Sequence, residues 1–427
     1  MPRDVSTAPD RVARSSWIAA LAPFAVRSFR FQWPADLLTS WAYEMEALIL
    51  GWYVLVETQS VFWLTVFGAL QYFGTLLAPF FGVAGDRIGR RKTLCAMRAF
   101  LAVVASAIMA LALLDALRPA YVFPLAFMTG LVRPSDLVMR NSLIGDTMPH
   151  ASLMSALGLS RMTMDTARIA GALVGAGLFA ALGIGPAYVF VAGFYMLSLT
   201  LTLGVSGVHP SHGPEAESLS AKPVGLWQSR WRDLRDGIAY AAKTPAALGL
   251  MLLAFLVNFT AFPLSFNLLP YVAREIYGID ATGLSHLVAA IGSGALVGSI
   301  FMALRGGQEQ SGRFMTVNLL LWFAMLAVFA EVDSKPAGIA VLFVMGIVNS
   351  LGMIAMSGVL LRAVADRFRA RVMGIRMLCV YGLPIGLLGT GPLIDRIGYP
   401  ATATLYVVVG AALTALIAWR WRRFFWT

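Results

Sequence analysis

The stretch Gly82–Leu94 reads GVAGDRIGRRKTL. Largely apolar runs flank it, Val61–Val83 on one side and Leu94–Leu114 on the other. Each is long enough to cross a bilayer, which takes about 20 residues. Asp86, Arg87, Arg90, Arg91 and Lys92 cannot enter lipid, so they form a tight loop between two spans. Their spacing is fixed: Gly82, three residues, Asp86, Arg87, one residue, Gly89, Arg90, Arg91. Two glycines at set offsets and one Asp among cations are more than topology alone asks of a loop.

The composition agrees with a membrane setting. Of 427 residues, 59% are hydrophobic and 13% charged, against about a quarter charged in soluble domains. That leaves room for about twelve spans joined by short loops. The net charge of +11 does not signal nucleic acid, because the cations cluster in loops on one side. Only Arg118, Arg274, Lys335 and Arg396 fall in loops on the other side, and Arg168 falls inside a span. This bias puts both termini in the cytoplasm. Cys95 and Cys379 and four scattered His form no metal or nucleophile constellation. No nucleotide-binding loop is present, so ATP does not drive the protein directly, and no polar catalytic cluster lies outside the membrane.

In order, the chain divides into a cytoplasmic N-terminal segment (1–33), six spans (34–208), a cytoplasmic linker (209–245), six more spans (246–419) and a tail (420–427). The linker opens with the polar, Pro-rich HPSHGPEAESLSAKP. It then places Trp227, Trp231, Leu234 and Ile238 at helical spacing with arginines between, the pattern of a helix on the membrane surface. A weak repeat relates the halves. SALGLSR, ending at Arg161, precedes the Gly-rich fifth span, and RVMGIR, ending at Arg376, precedes the Gly-rich eleventh.

The Gly82–Leu94 pattern resembles the signature between the second and third helices of the major facilitator superfamily, with every defining position present. The resemblance implies an all-α integral membrane protein of twelve transmembrane helices in two pseudo-symmetric six-helix bundles. It implies a monomer that works by alternating access. It also implies that Gly82, Asp86, Arg87, Gly89, Arg90 and Arg91 are gating machinery, with Asp86 as an interdomain latch and Arg140 of the fourth span as its partner. Three further stretches are similar to the bacterial branch of enterobactin exporters and drug-efflux proteins: FRFQWPADLLTSWAYEMEALILGWYVL, RPSDLVMRNSLIGDTMP and RDLRDGIAYAAKTP. That similarity implies the bacterial inner membrane, a siderophore-like or drug-like cargo, and efflux by antiport with protons. One departure stands out: antiporters of the superfamily carry Gly-Pro in the fifth span, and this chain has Gly171-Ala172.

Several charges sit inside spans. Glu44 and Glu46 lie near the middle of the first, where a carboxylate costs a few kcal/mol unless paired or protonated. Residues two apart on a helix point in nearly opposite directions, so only one faces a central cavity. The fourth span carries Arg133, Asp136 and Arg140, and the fifth carries Arg161, Asp165 and Arg168, at spacings that permit Arg–Asp pairing within each helix. Such a ladder is structural near the cytoplasmic end. Its deepest members, Arg133 and Arg168, are candidates to draw an anionic substrate. The second half has no mid-membrane carboxylate. Asn258, Phe262, Asn349 and Tyr381 are its cavity candidates, suited to an amphipathic or aromatic ligand.

The expected function is therefore proton-coupled export of a small organic molecule, anionic or amphipathic, with no cofactor besides the proton gradient and no metal. The rivals are import or uniport of a nutrient or metal chelate, lysophospholipid flipping, and a membrane scaffold that does not transport.

Overall fold

The computed structural model describes residues 22–206, 242–304, 311–364 and 375–426, together with residues 235, 239 and 372. The described residues form helices and no strands. The linker helix expected around Trp227–Ile238 lies outside them, apart from Arg235.

The first half contains α1 (Arg27–Thr58), a broken α2 (Val61–Leu70, then a 3-10 stretch Phe73–Leu77, then Ala78–Ile88), α3 (Arg90–Leu113), α4 (Pro119–Thr147), α5 (His150–Leu182) and α6 (Ile184–Leu203). The second contains α7 (Pro245–Ile276), α8 (Ala281–Leu304), α9 (Gly312–Ala330), α10 (Lys335–Ala363), α11 (Ile375–Ile397) and α12 (Tyr399–Arg420). Ten of these are long and apolar enough to cross a membrane. The other two expected spans are α1, whose 32 residues include Asp36, Glu44 and Glu46, and the interrupted α2.

α1 packs on α5 and α6, α3 on α4 and α6, α8 on α10, and α9 on α10 and α12. Contact between the two halves runs along α2–α11 and α5–α8.

Two details position the site. α1 begins at Arg27, seven residues ahead of the start read from Pro34. These extra two turns are pinned by buried Phe29, which packs with Ile144, Met148 and Ala156, and by Phe24, whose ring meets Phe29 and Trp33 edge-on at 5.3 Å. The break in α2 sits where it crosses α4. Gly74 rests on the carbonyls of Gly130 and Leu131, and Gly130 on that of Leu70. Only glycine lets two helix backbones approach this closely, and the crossing sets Gln71 and Tyr72 beside α4.

α7 is also irregular. Wide turns over Pro263–Asn267 and Val272–Ile276, with Pro270 between them, carry the helix on to Ile276. Proline cannot donate to the preceding turn, and the widened turn absorbs the lost bond.

Candidate functional site

A cavity of about 180 Å³ lies between the halves, walled by α1, α2, α4 and α5 on one side and by α7 and α8 on the other. It shares Tyr43, Glu44, Gln71, Tyr72, Arg133 and Arg168 with a second space of about 290 Å³. That space runs past Asp165 to Arg161, whose side chain is 70% exposed. The path therefore opens toward the basic end of the molecule.

The opposite end is shut. Arg274 of α7 donates to the Leu55 carbonyl at 2.8 Å and to Gln59 Oε1 at 2.6 Å, tying the halves together. Below it, Gly391 of α11 lies against Phe62 and Thr65 of α2.

Within the cavity, Arg133 of α4 is the centre of the polar contacts. Its Nη1 donates to Gln71 Oε1 at 3.1 Å, and the Tyr43 hydroxyl donates to the same oxygen at 2.5 Å. Its guanidinium stacks on the Tyr43 ring, and its Nη2 stands 4.0 Å from Glu44 Oε1. At 4.0 Å the ion pair has no direct hydrogen bond, so the guanidinium keeps donors available. Arg168 of α5 reaches across to α7, its guanidinium 5.2 Å above the Phe266 ring. The α7 and α8 wall is otherwise apolar and aromatic, with Phe262 and Phe266, and Asn267 is its one polar side chain among the described residues. The site thus combines two cations, one carboxylate and aromatic faces.

Glu46 points the other way. It is 5% exposed and accepts from the Tyr195 hydroxyl at 2.9 Å and from Thr129 at 3.4 Å. No cation pairs with it among the described residues. Glu44 is therefore the carboxylate of the central cavity, and Glu46 belongs to the packing of α1 against α4 and α6.

The expected charge ladder is only partly a ladder. Arg161 pairs with Asp165 at 3.4 Å on α5, and Arg140 Nη2 with Asp136 Oδ2 at 2.5 Å on α4. The latter pair extends into a buried quartet with two residues that the sequence reading passed over, Asp36 of α1 and Arg98 of α3. Arg98 binds Asp36 and Thr202 through its two Nη atoms and lies 3.6 Å from Asp136. Arg140 Nε lies 3.5 Å from Asp36, and its Nη1 donates to Ser40 at 2.9 Å. Two cations and two anions cancel, so this is a neutral staple joining α1, α3, α4 and α6. The signal for it in the sequence was the bare presence of Asp36 and Arg98 inside spans.

Arg140, the expected partner of Asp86, is committed to this staple. Gly82 and Asp86 lie in the last part of α2, Ala78–Ile88, and the Asp86 side chain is not among the described ones. The rest of the motif ties its loop into the first half. Gly89 ends α2 at φ 99, a conformation that favours glycine. Arg90 pairs with Asp146 at 2.5 Å near the end of α4, and Arg91 donates to the Leu203 carbonyl at the end of α6. Arg87 is exposed. Of the other candidates, Phe262 lines the cavity. Asn258 donates to Ala254 on its own helix at 2.8 Å and packs against Gly382. Asn349 is buried in α10 away from the cavity. The Tyr381 hydroxyl donates to the Phe73 carbonyl at 3.2 Å, bridging α11 and α2.

Residues 37–388 match the family model of the Major Facilitator Superfamily. The chain belongs to that superfamily and is a membrane-spanning transporter, not an enzyme. No curated protein sequence matches it. Among solved structures, the nucleoside transporter NupG is similar with a TM-score of 0.69 at 14% identity, covering 93% of this chain and 99% of that one. A bacterial homologue of the human lysosomal transporter Spinster, inward-facing and unoccupied, has a TM-score of 0.69 at 14% identity and covers 93% and 98%. The human organic anion transporter MFSD10 has a TM-score of 0.65 at 15% identity and covers 92% and 99%. At these identities the likeness is one of fold.

Proposed function

We propose that this protein is a proton-coupled secondary transporter of small organic anions that carry an aromatic or apolar part, working by alternating access in a bacterial inner membrane with both termini in the cytoplasm. The observation that carries this reading is Glu44 standing 4.0 Å from Arg133 in a cavity that Arg168 and two phenylalanines complete.

An empty site pairs Glu44 loosely with Arg133. A carboxylate or catecholate cargo takes the Arg133 donors, with Arg168 as a second charge-assisted contact, while its ring lies on Phe262 and Phe266. Glu44 then loses its cation and takes a proton, because an unpaired carboxylate in a largely apolar cavity is costly. Anion and proton are bound together, and the cargo crosses with reduced charge.

A second reading keeps antiport export, as the branch resemblance implies. The observation for it is that Glu44 has no hydrogen bond from Arg133, which leaves it able to take a cationic cargo. In that case cargo and proton compete for the same carboxylate.

Proton exchange separates the two. Carboxylate and catecholate siderophores and a lipophilic cation are added in turn to the detergent-purified protein in weakly buffered solution. Proton uptake with an anion, lost in Glu44→Gln, supports anion–proton transport. Proton release with the lipophilic cation supports antiport. Ligand binding without proton movement in any variant overturns proton coupling through α1 and moves uniport or lipid flipping ahead.

A further inference from the structure

At the basic end, on the outer face of the second half, a groove of about 370 Å³ lies between α9 and α12. Leu320, Ala415 and Ala418 form its apolar walls, Trp419 and Trp426 its rim, and Arg422 and Arg423 its mouth. It is separate from the transport cavity and shares no residue with it. Val317, Leu321, Leu413 and Leu416 are exposed on the same two helices, as expected of surface that faces acyl chains. Trp419 is 66% exposed and Trp426 52%. Large exposed indoles beside arginines are what the boundary between hydrocarbon and headgroups selects, since the ring is apolar and its N–H stays wet.

The mouth of the groove is held in place. The chain turns back over Arg422–Phe425, and Phe425 is fully buried. Its ring lies against Gly249 of α7, and its backbone against Gly312 of α9, which has no room for a side chain. Arg422 and Arg423 are thus set beside the groove, and neither has an acidic partner among the described residues. Arg313 adds a third cation, its guanidinium 6.0 Å from the Trp426 ring.

We infer that the groove binds one anionic phospholipid from the leaflet on the basic side. An acyl chain runs along Leu320 and Ala415, the tryptophans flank the glycerol region, and the phosphate sits on Arg422 and Arg423. Charge complementarity selects this occupant. Two unpaired guanidiniums offer planar donor forks that match phosphate oxygens, whereas a zwitterionic headgroup brings its own cation and gains less from them.

Native mass spectrometry on the full chain tests the inference. Protein is purified from mixed micelles of phosphatidylglycerol and phosphatidylcholine, and the ratio of the two retained lipids is measured. Wild type is expected to favour phosphatidylglycerol. Arg422→Gln with Arg423→Gln is expected to lower that ratio roughly twentyfold, since each cation at the groove contributes roughly a fivefold preference for the anionic lipid bound there. Arg422→Lys with Arg423→Lys should retain most of the preference. Arg420→Gln, which removes a cation that does not line the groove, should leave it unchanged. Fluorescence quenching by brominated phosphatidylglycerol, which should fall more in Trp419→Phe with Trp426→Phe than in Trp63→Phe, a lipid-exposed tryptophan away from the groove, locates the lipid. An unchanged ratio in the double Gln variant overturns the proposal. So does equal retention of phosphatidylcholine by wild type, which would mean ordinary annular contact. Displacement of the lipid by inorganic phosphate also overturns it, because the site would then be one for the anion alone.

Discussion

Glu44 stands 4.0 Å from Arg133 in the cavity, and Glu46, two residues on, is buried under Tyr195 and Thr129. The difference is set by helix geometry and gives a paired prediction. Glu44→Gln removes the titrating group and should abolish ligand-dependent proton exchange. Anion affinity should change by no more than about fivefold, because a loose, partly exposed ion pair is worth about 1 kcal/mol or less. Glu46→Gln should leave exchange intact, since an amide oxygen still accepts from the Tyr195 hydroxyl. Exchange retained in Glu44→Gln would refute the assignment. The quartet predicts a different kind of loss. Asp36→Asn leaves Arg98 and Arg140 sharing one carboxylate in a buried site, so the fold should lose about 3 kcal/mol or more. A lower unfolding midpoint in detergent reads this, and a variant as stable as wild type would show that the quartet is no staple. The depth of Arg133 and Arg168 was legible from their spacing along two antiparallel spans. The quartet was not, because a period of 3.6 shows which residues share a helix face but not which faces meet. Asp36 and Arg98 are 62 residues apart in sequence.

α2 and α7 are where local propensity and tertiary demand part. Read alone, Val61–Val83 is one apolar helix. Its contact with α4 requires a backbone crossing at Gly74 and Gly130, and the chain answers with a 3-10 stretch over Phe73–Leu77. Gln71, at the head of that stretch, is the residue that shares Arg133 with Tyr43, so the irregularity serves the site. Gly130→Val would force a side chain into the Leu70 carbonyl and Gln71 backbone. The expected result is a loss of about 1–3 kcal/mol in stability and a displaced Gln71. Weaker ligand binding than in Gly177→Val, where the added side chain meets open space, would check it. Equal binding by the two variants would mean that the crossing does not position the site. In α7, Pro263 and Pro270 mark the irregular region in the sequence, but the wide turns between them follow from packing. That is why Phe262 is legible as a cavity residue in the sequence and the wide turns beyond it are not.

At the scale of the whole molecule, the closed end and the open path belong to one conformation, and the alternating access proposed above requires their exchange. The fold class was legible from apolar run lengths, loop charge and one motif, because lipid restricts a spanning chain to helices or closed barrels. The conformation was not, because Arg274 meets Leu55 and Gln59 only through the placing of two halves that no local pattern encodes. Contacts along the closed end are therefore the ones that must break when the cavity faces the other side. Thr65 of α2 and Gly391 of α11 touch there. In a background with Cys95 and Cys379 replaced by serine, Thr65→Cys with Gly391→Cys should cross-link readily in the absence of ligand. The cross-link should abolish transport in proteoliposomes, and reduction should restore it. Arg274→Ala, which removes the tie between α7 and the end of α1, should slow cross-linking by shifting the population away from the closed end. If the cross-linked protein transports at the rate of the reduced one, the two halves do not separate along α2 and α11. The exchange would then have to be carried along α5 and α8, the other seam between the halves.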